Sequence, residues 1–214
     1  MSRQINNFSL IEEIWHAVTH GIGFALSIAA LVLLIIFSVS HGHGALHVTA
    51  AAIYGSTLII MYGSSTLYHA ITHQKSKGFL QIMDHASIYI LIAGSYTPIA
   101  LISIGGTMGW VLFGLEWGIA FIGIALKFIF PGRLELLSLI AYLVMGWLIV
   151  LDFTTFRANI DPIGFWLIVA GGLAYSGGVV FYVKDNITHF HTIWHLFVMM
   201  GSIFHFMAIL LYVV

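Results

Sequence analysis

Cysteine is absent from this 214-residue chain, which excludes disulfides, thiolate metal sites and thiol catalysis. Charge is scarce too. Asp, Glu, Lys and Arg together make up 7% of the residues, and the net charge of −1 offers nothing to a nucleic-acid backbone. No soluble domain, long linker, low-complexity tract or transporter-like internal repeat interrupts the sequence. The N-terminus lacks a small-residue cleavage site and carries Glu12 and Glu13 just before the first apolar run. That run is therefore expected to be a retained helix and not a signal peptide. What the chain does have is apolar surface: 60% hydrophobic residues and a mean hydropathy of +1.03. No soluble domain of this size could hide that much, so the sequence reads as a polytopic membrane protein.

Runs long enough to span a bilayer, roughly 20 residues each, fall near 17–39, 47–70, 80–102, 109–129, 134–154, 162–183 and 191–213. The expectation is an all-α seven-transmembrane bundle over 17–214, preceded by a cytoplasmic segment, 1–16. Orientation follows from the basic residues. Arg3, Lys75, Lys77, Lys127, Arg133 and Lys184 share one side, and only Arg157 falls opposite. The positive-inside rule then predicts a cytoplasmic N-terminus and an outside C-terminus, inverse to G-protein-coupled receptors. Pro98 is expected to bend the third span, because its ring clashes with the preceding turn and it lacks an amide donor. Ala170, Ala174 and Gly178 form a small-residue stripe on the sixth span that would admit a close neighbour.

The polar residues inside these runs carry the chemistry. His191 and His195 stand one helical turn apart, so both imidazoles lie on one face, as two ligands of a single ion would. His69 ends the second span about 9 Å along the axis from Lys75, at 1.5 Å per residue. Asp84 lies near the start of the third span. Four metal-capable side chains from three spans thus reach one depth, the cytoplasmic third of the bundle. Three histidines with an open position suit catalytic zinc, with water in the fourth place and its pKa lowered toward neutrality. Asp84 could act as general base or orient an imidazole. Ser65, four residues before His69, could point into the same cavity as a donor or oxyanion stabiliser; otherwise it bonds its own helix carbonyl. A lone intramembrane histidine is often satisfied by a backbone carbonyl, but two rings on one face are harder to satisfy separately. An unpaired intramembrane carboxylate is costly, about 2.5–3.5 kcal/mol even on insertion scales, so Asp84 needs a partner or a proton.

Other histidines compete. His16 and His20 form a second i, i+4 pair at the start of the first span. His16 is expected to snorkel at the interface, and His20 to face the bundle or lie beside a substrate channel. His205 lies deeper on the seventh span, His85 follows Asp84, and His73 and His189 belong to connectors. His41, His43 and His47 belong to the opposite surface. Glu116 is the other buried acid, suited to a hydrogen-bonded neighbour or a proton path, and Asp152 is expected to be interfacial.

The stretches Thr19-His20-Gly21-Ile22-Gly23, Ser64-Ser65-Thr66-Leu67-Tyr68-His69 and Asp84 through Pro98 resemble the bacterial hemolysin III family. With His191 to His195 and His205-Phe206, the resemblance extends over nearly the whole chain from about Glu12. That family is similar to the progestin and adipoQ receptors, including the adiponectin receptors, and more distantly to alkaline ceramidases. The resemblance implies zinc held by His69, His191 and His195, Asp84 contacting the metal-bound water, and Ser65 beside it. It also implies an intracellular N-terminus and a multi-pass location in the bacterial inner (plasma) membrane.

The preferred functional expectation is a zinc-dependent intramembrane hydrolase, ceramidase-like, acting on a lipid amide or ester, with Asp84 shuttling the proton. Membrane lipid is then the substrate or ligand. The alternatives are a receptor-like or membrane-homeostasis lipid sensor with structural zinc, an ion-coupled transporter using Glu116 and Asp84, and a cytolysin. The last is ranked lowest, since the chain lacks the soluble-to-inserted design of a secreted toxin.

Overall fold

Ser9 starts the first helix. Its hydroxyl accepts from the amide of Glu12, whose carboxylate returns to the Ser9 amide, a reciprocal capping box. The computed structural model describes residues 8–42 and 44–214, so Arg3 and His43 lie outside the described residues. Among those residues seven helices are long and apolar enough to cross a membrane. Helix α1, Leu10–Ser40, begins seven residues before the apolar run because the capped, polar first turn is already helical. Helix α2 spans Ala45–Ala70 and α3 Gln74–Pro98. Helix α4 spans Gly106–Ile129, and the fifth span comprises α5, Glu135–Gly146, and α6, Phe153–Asn159. Helices α7, Pro162–Val183, and α8, Phe190–Tyr212, are the sixth and seventh spans.

Two spans depart from regular α-helix. At Pro98 the third span does not simply bend. It widens into a π-helical turn over Ile99–Ile104 and ends on Gly105, at φ +65°, a conformation that favours glycine. The fifth span breaks at Gly146 and continues through a 3₁₀ segment, Leu148–Asp152, before α6. Orphaned backbone groups are expensive inside a bilayer. Tyr96 satisfies two of them: its hydroxyl donates to the Gly146 carbonyl and accepts from the Ile149 amide, each at 3.0 Å.

Sequential helices pack as neighbours, α1 on α2, α2 on α3, α3 on α4 and α7 on α8, and α1 also packs on α8 to close the ring. Small residues allow the close approaches. Gly94 of α3 lies directly against the Thr57 side chain of α2. On the sixth span the stripe facing α8 runs through Gly164, Gly171, Ala174 and Gly178, with Ala170 only half-buried. A Cβ at Gly178 would lie 2.7 Å from that of Phe197. The outer surface is apolar, with Leu26, Ile36, Phe121, Ile122, Trp166 and Leu173 exposed, as a lipid-facing belt requires. The fifth span packs on α3 and α4, whereas α7 packs on α8, and a cavity lies between them. Trp147 bridges that gap, its indole N–H donating to Ser176 Oγ at 3.0 Å.

Candidate metal centre

Helix geometry sets the centre out. Ser65 and His69 stack one turn apart at the end of α2, and His191 and His195 do the same at the start of α8. His189 precedes α8 at φ +64°, and its amide donates to Glu12 Oε1 at 3.0 Å, so α1 fastens the beginning of α8. One ligand nitrogen from each of His69, His191 and His195 lies within 4.8 Å of the other two. All three rings are buried, at 2%, 6% and 1% exposure. Their nearest connectors are those carrying His73, Lys184 and Asp185, so the cluster lies at one end of the bundle.

The surroundings of these rings come from α1. His69 Nδ1 is 2.7 Å from Glu13 Oε2, and Lys77 Nζ is 2.6 Å from Glu13 Oε1. His195 Nδ1 lies 3.2 Å from Thr19 Oγ1. His20 stacks on His195 with centroids 3.5 Å apart and planes 10° from parallel. His16 does not snorkel: it is fully buried, its ring 4.7 Å from that of His69 and 4.8 Å from that of His191. Starting the helix at Leu10 turns its Glu13–His16–His20 face inward and leaves His16 no path to the interface. Phe8 lies against the cluster, 4.8 Å from His16 and 4.9 Å from His191.

The donor set fits a borderline divalent cation such as zinc: three imidazole nitrogens and no thiolate. Among the described residues His69 Nε2 is buried with no hydrogen-bond partner, as a lone pair meant for a metal would be. Glu13, His16 and His69 form a second group of three within the same distance limit, so these buried groups can hold a metal ion. Asp84 is outside both groups. It shares a cavity wall with His191 and His195, and the Ser65 side chain interacts with its carboxylate.

That cavity, about 110 Å³, runs from Ser65, Asp84, His191 and His195 along Leu91, Ile92, Leu143 and Val179 to His205. Its wall is mostly apolar, with Ser95, Tyr96, Ser176 and His205 as polar exceptions away from the cluster. A second hollow of about 330 Å³ shares His85, Leu139 and Tyr182 with it and carries Lys127, Glu135 and Asp185. There Lys127 Nζ meets Glu135 Oε2 at 2.6 Å, and His85 Nδ1 lies 3.4 Å from the same oxygen. Burial pushes the Asp185 carboxyl above its ordinary range, opposed by His85.

The remaining candidates lie elsewhere. His205 Nε2 bonds the Ile168 carbonyl at 3.1 Å, with its ring against Gly171, which ties α8 to α7. Glu116 is fully buried on α4, and neither carboxylate oxygen has a hydrogen-bond partner among the described residues. His41 lies at the opposite end of α1, His73 caps α3, and Asp152 is half-buried in the fifth span. Glu13 and Thr19 are the residues that sequence reasoning passed over. Spacing places Glu13 on the His16–His20 face, at i, i+3 and i+7, once α1 is extended to Leu10, but it does not pair Glu13 with His69, and Thr19 carries no such signal.

The family described as Haemolysin-III related matches residues 8–206. The chain is 45% identical over 207 residues to the hemolysin-3 homolog of Bacillus subtilis (strain 168), covering 97% of each protein. It is 43% identical over 202 residues to hemolysin-3 of Bacillus cereus, covering 94% of this chain and 92% of that one. Human monocyte to macrophage differentiation factor is 33% identical over 165 residues, 74% of this chain and 68% of its own.

Proposed function

This chain belongs to the Haemolysin-III related family, and we propose that it is a zinc-dependent intramembrane hydrolase of a lipid amide or ester. The observation that carries the reading is the shared wall: Asp84, Ser65, His191 and His195 line one cavity whose wall is otherwise mostly apolar. His69, His191 and His195 would hold the ion. When bound, zinc supplies Lewis acidity toward a carbonyl and lowers the pKa of water toward neutrality. The other roles belong to the chain. The apolar wall of the cavity takes an acyl chain and sets the carbonyl beside the histidines. Asp84 accepts the proton of the attacking water and returns it to the leaving nitrogen or oxygen as the acyl bond breaks. The products are a fatty acid and an amine or alcohol. Ser65 steadies the Asp84 carboxylate, and the hollow beyond His85 admits water.

The test is purified protein in proteoliposomes, assayed for zinc and against a broad panel of lipid amides and esters. The expected result is about one zinc per chain and turnover of at least one class, both lost in His191→Ala. Stoichiometric zinc with no turnover across the panel would sink the enzyme reading. A lipid sensor with structural zinc is the second reading, favoured by the ligands joining α2 to α8, since such an ion braces the bundle. Under it, zinc removal unfolds the protein; under the first, metal-free protein stays folded and inactive.

A further inference from the structure

We infer that Glu13 and Thr19 of α1 are positioning residues of the centre: they fix the tautomers of His69 and His195 so that each presents Nε2 to the ion. The inference rests on the reading that these histidines bind a metal, and it assigns work to a helix that supplies no ligand in that reading.

Hydrogen-bond donors and acceptors around the two rings decide their tautomers. Glu13 Oε1 accepts from Lys77 Nζ at 2.6 Å, and a carboxylate oxygen accepts rather than donates. The other Glu13 oxygen, Oε2, is 2.7 Å from His69 Nδ1, so that nitrogen carries the proton. The lone pair of neutral His69 is then on Nε2, the buried atom without a hydrogen-bond partner among the described residues. Thr19 has one hydroxyl proton, directed to the Trp15 carbonyl at 2.8 Å or the His16 carbonyl at 3.0 Å. Toward His195 Nδ1, 3.2 Å away, its oxygen can therefore only accept, so His195 is also protonated at Nδ1 with its lone pair on Nε2. Two ligands on different helices are thus set to the same tautomer from α1, at residues 13 and 19. Such carboxylate or hydroxyl partners hold ring orientation and raise ligand basicity.

The experiment measures zinc retention against graded chelator in detergent-purified protein, with the visible spectrum of the cobalt-substituted form and metal-free thermal stability alongside. The variants are Thr19→Val, Thr19→Ser, Lys77→Met, His191→Ala and the double variant Glu13→Ala with Lys77→Met, which strands no buried charge. Loss of such a partner weakens metal affinity about ten- to hundredfold. That loss is expected for Thr19→Val and for the double variant, with an altered cobalt spectrum. Thr19→Ser and Lys77→Met should stay near wild type, and metal-free Thr19→Val should melt with the wild type. If His191→Ala loses metal while Thr19→Val and the double variant hold it within twofold of wild type, the inference is overturned. Equal losses in Thr19→Ser and Thr19→Val, or in Lys77→Met and the double variant, would assign the effect to packing or to the ion pair and overturn it as well. A wild type that binds no metal overturns the underlying reading and this inference with it.

Discussion

At the residue scale the centre is a matter of which polar atoms find partners inside an apolar bundle. Thr97, Ser27 and Ser38 settle theirs locally, each donating to the carbonyl four residues back. The histidines cannot, because they reach inward from different helices and meet one another. Asp84 is 9% exposed and faces the same cavity without belonging to the three-nitrogen group. Its proposed work is proton transfer, not metal retention, and the two can be separated. Asp84→Asn is expected to keep full zinc content while turnover falls about 10²- to 10⁴-fold, the usual contribution of a positioned general base. Zinc analysis beside a lipid hydrolysis assay checks this. Loss of metal in that variant would make Asp84 a ligand instead.

At the element scale the informative feature is the broken fifth span. Gly146 and Ile149 lie on either side of a helix break facing the cavity, and the Tyr96 hydroxyl joins them. In water such a break would be solvated; here a single side chain from α3 replaces the solvent. Tyr96→Phe keeps the ring and removes only the hydroxyl, leaving a carbonyl and an amide without that partner. The expected cost is about 1–3 kcal/mol for each group stranded away from water, read as a lowered thermal midpoint in detergent. An unchanged midpoint would mean that other groups or lipid satisfy the break. The third span is irregular too, in the π-helical turn that follows Pro98.

At the scale of the whole molecule, the seven spans and the skewed basic residues make a single statement about topology. Lys75, Lys77, Lys127, Arg133 and Lys184 gather at the end that holds the histidine cluster. The positive-inside rule then predicts a cytoplasmic N-terminus, an outside C-terminus and a centre opening toward the cytoplasm. Fusing a reporter active only in the cytoplasm after Val214 should give no signal. The same reporter in the connector at His73 should be active, and the reverse pattern would invert the assignment.

The sequence by itself determined the seven spans, the absence of thiol chemistry and the meeting of His69, Asp84, His191 and His195 near one depth. Each follows from one-dimensional facts: run length, composition, and i, i+4 spacing on a helix whose rise per residue is constant. It was silent on rotation about the helix axes, and rotation is what packing decides. His16 illustrates the limit: a histidine at the start of an apolar run is expected to reach the interface, yet the extended α1 turns it onto His69 and His191. Only the tertiary structure brought Glu13 to His69 across 56 residues and Thr19 to His195 across 176. Those contacts arise where α1 lies between α2 and α8, and no local periodicity encodes which neighbours a helix will have. The candidate ligands were legible because metal chemistry demands particular residues at regular spacing; their supports were not, because any acceptor at the right place in space would serve.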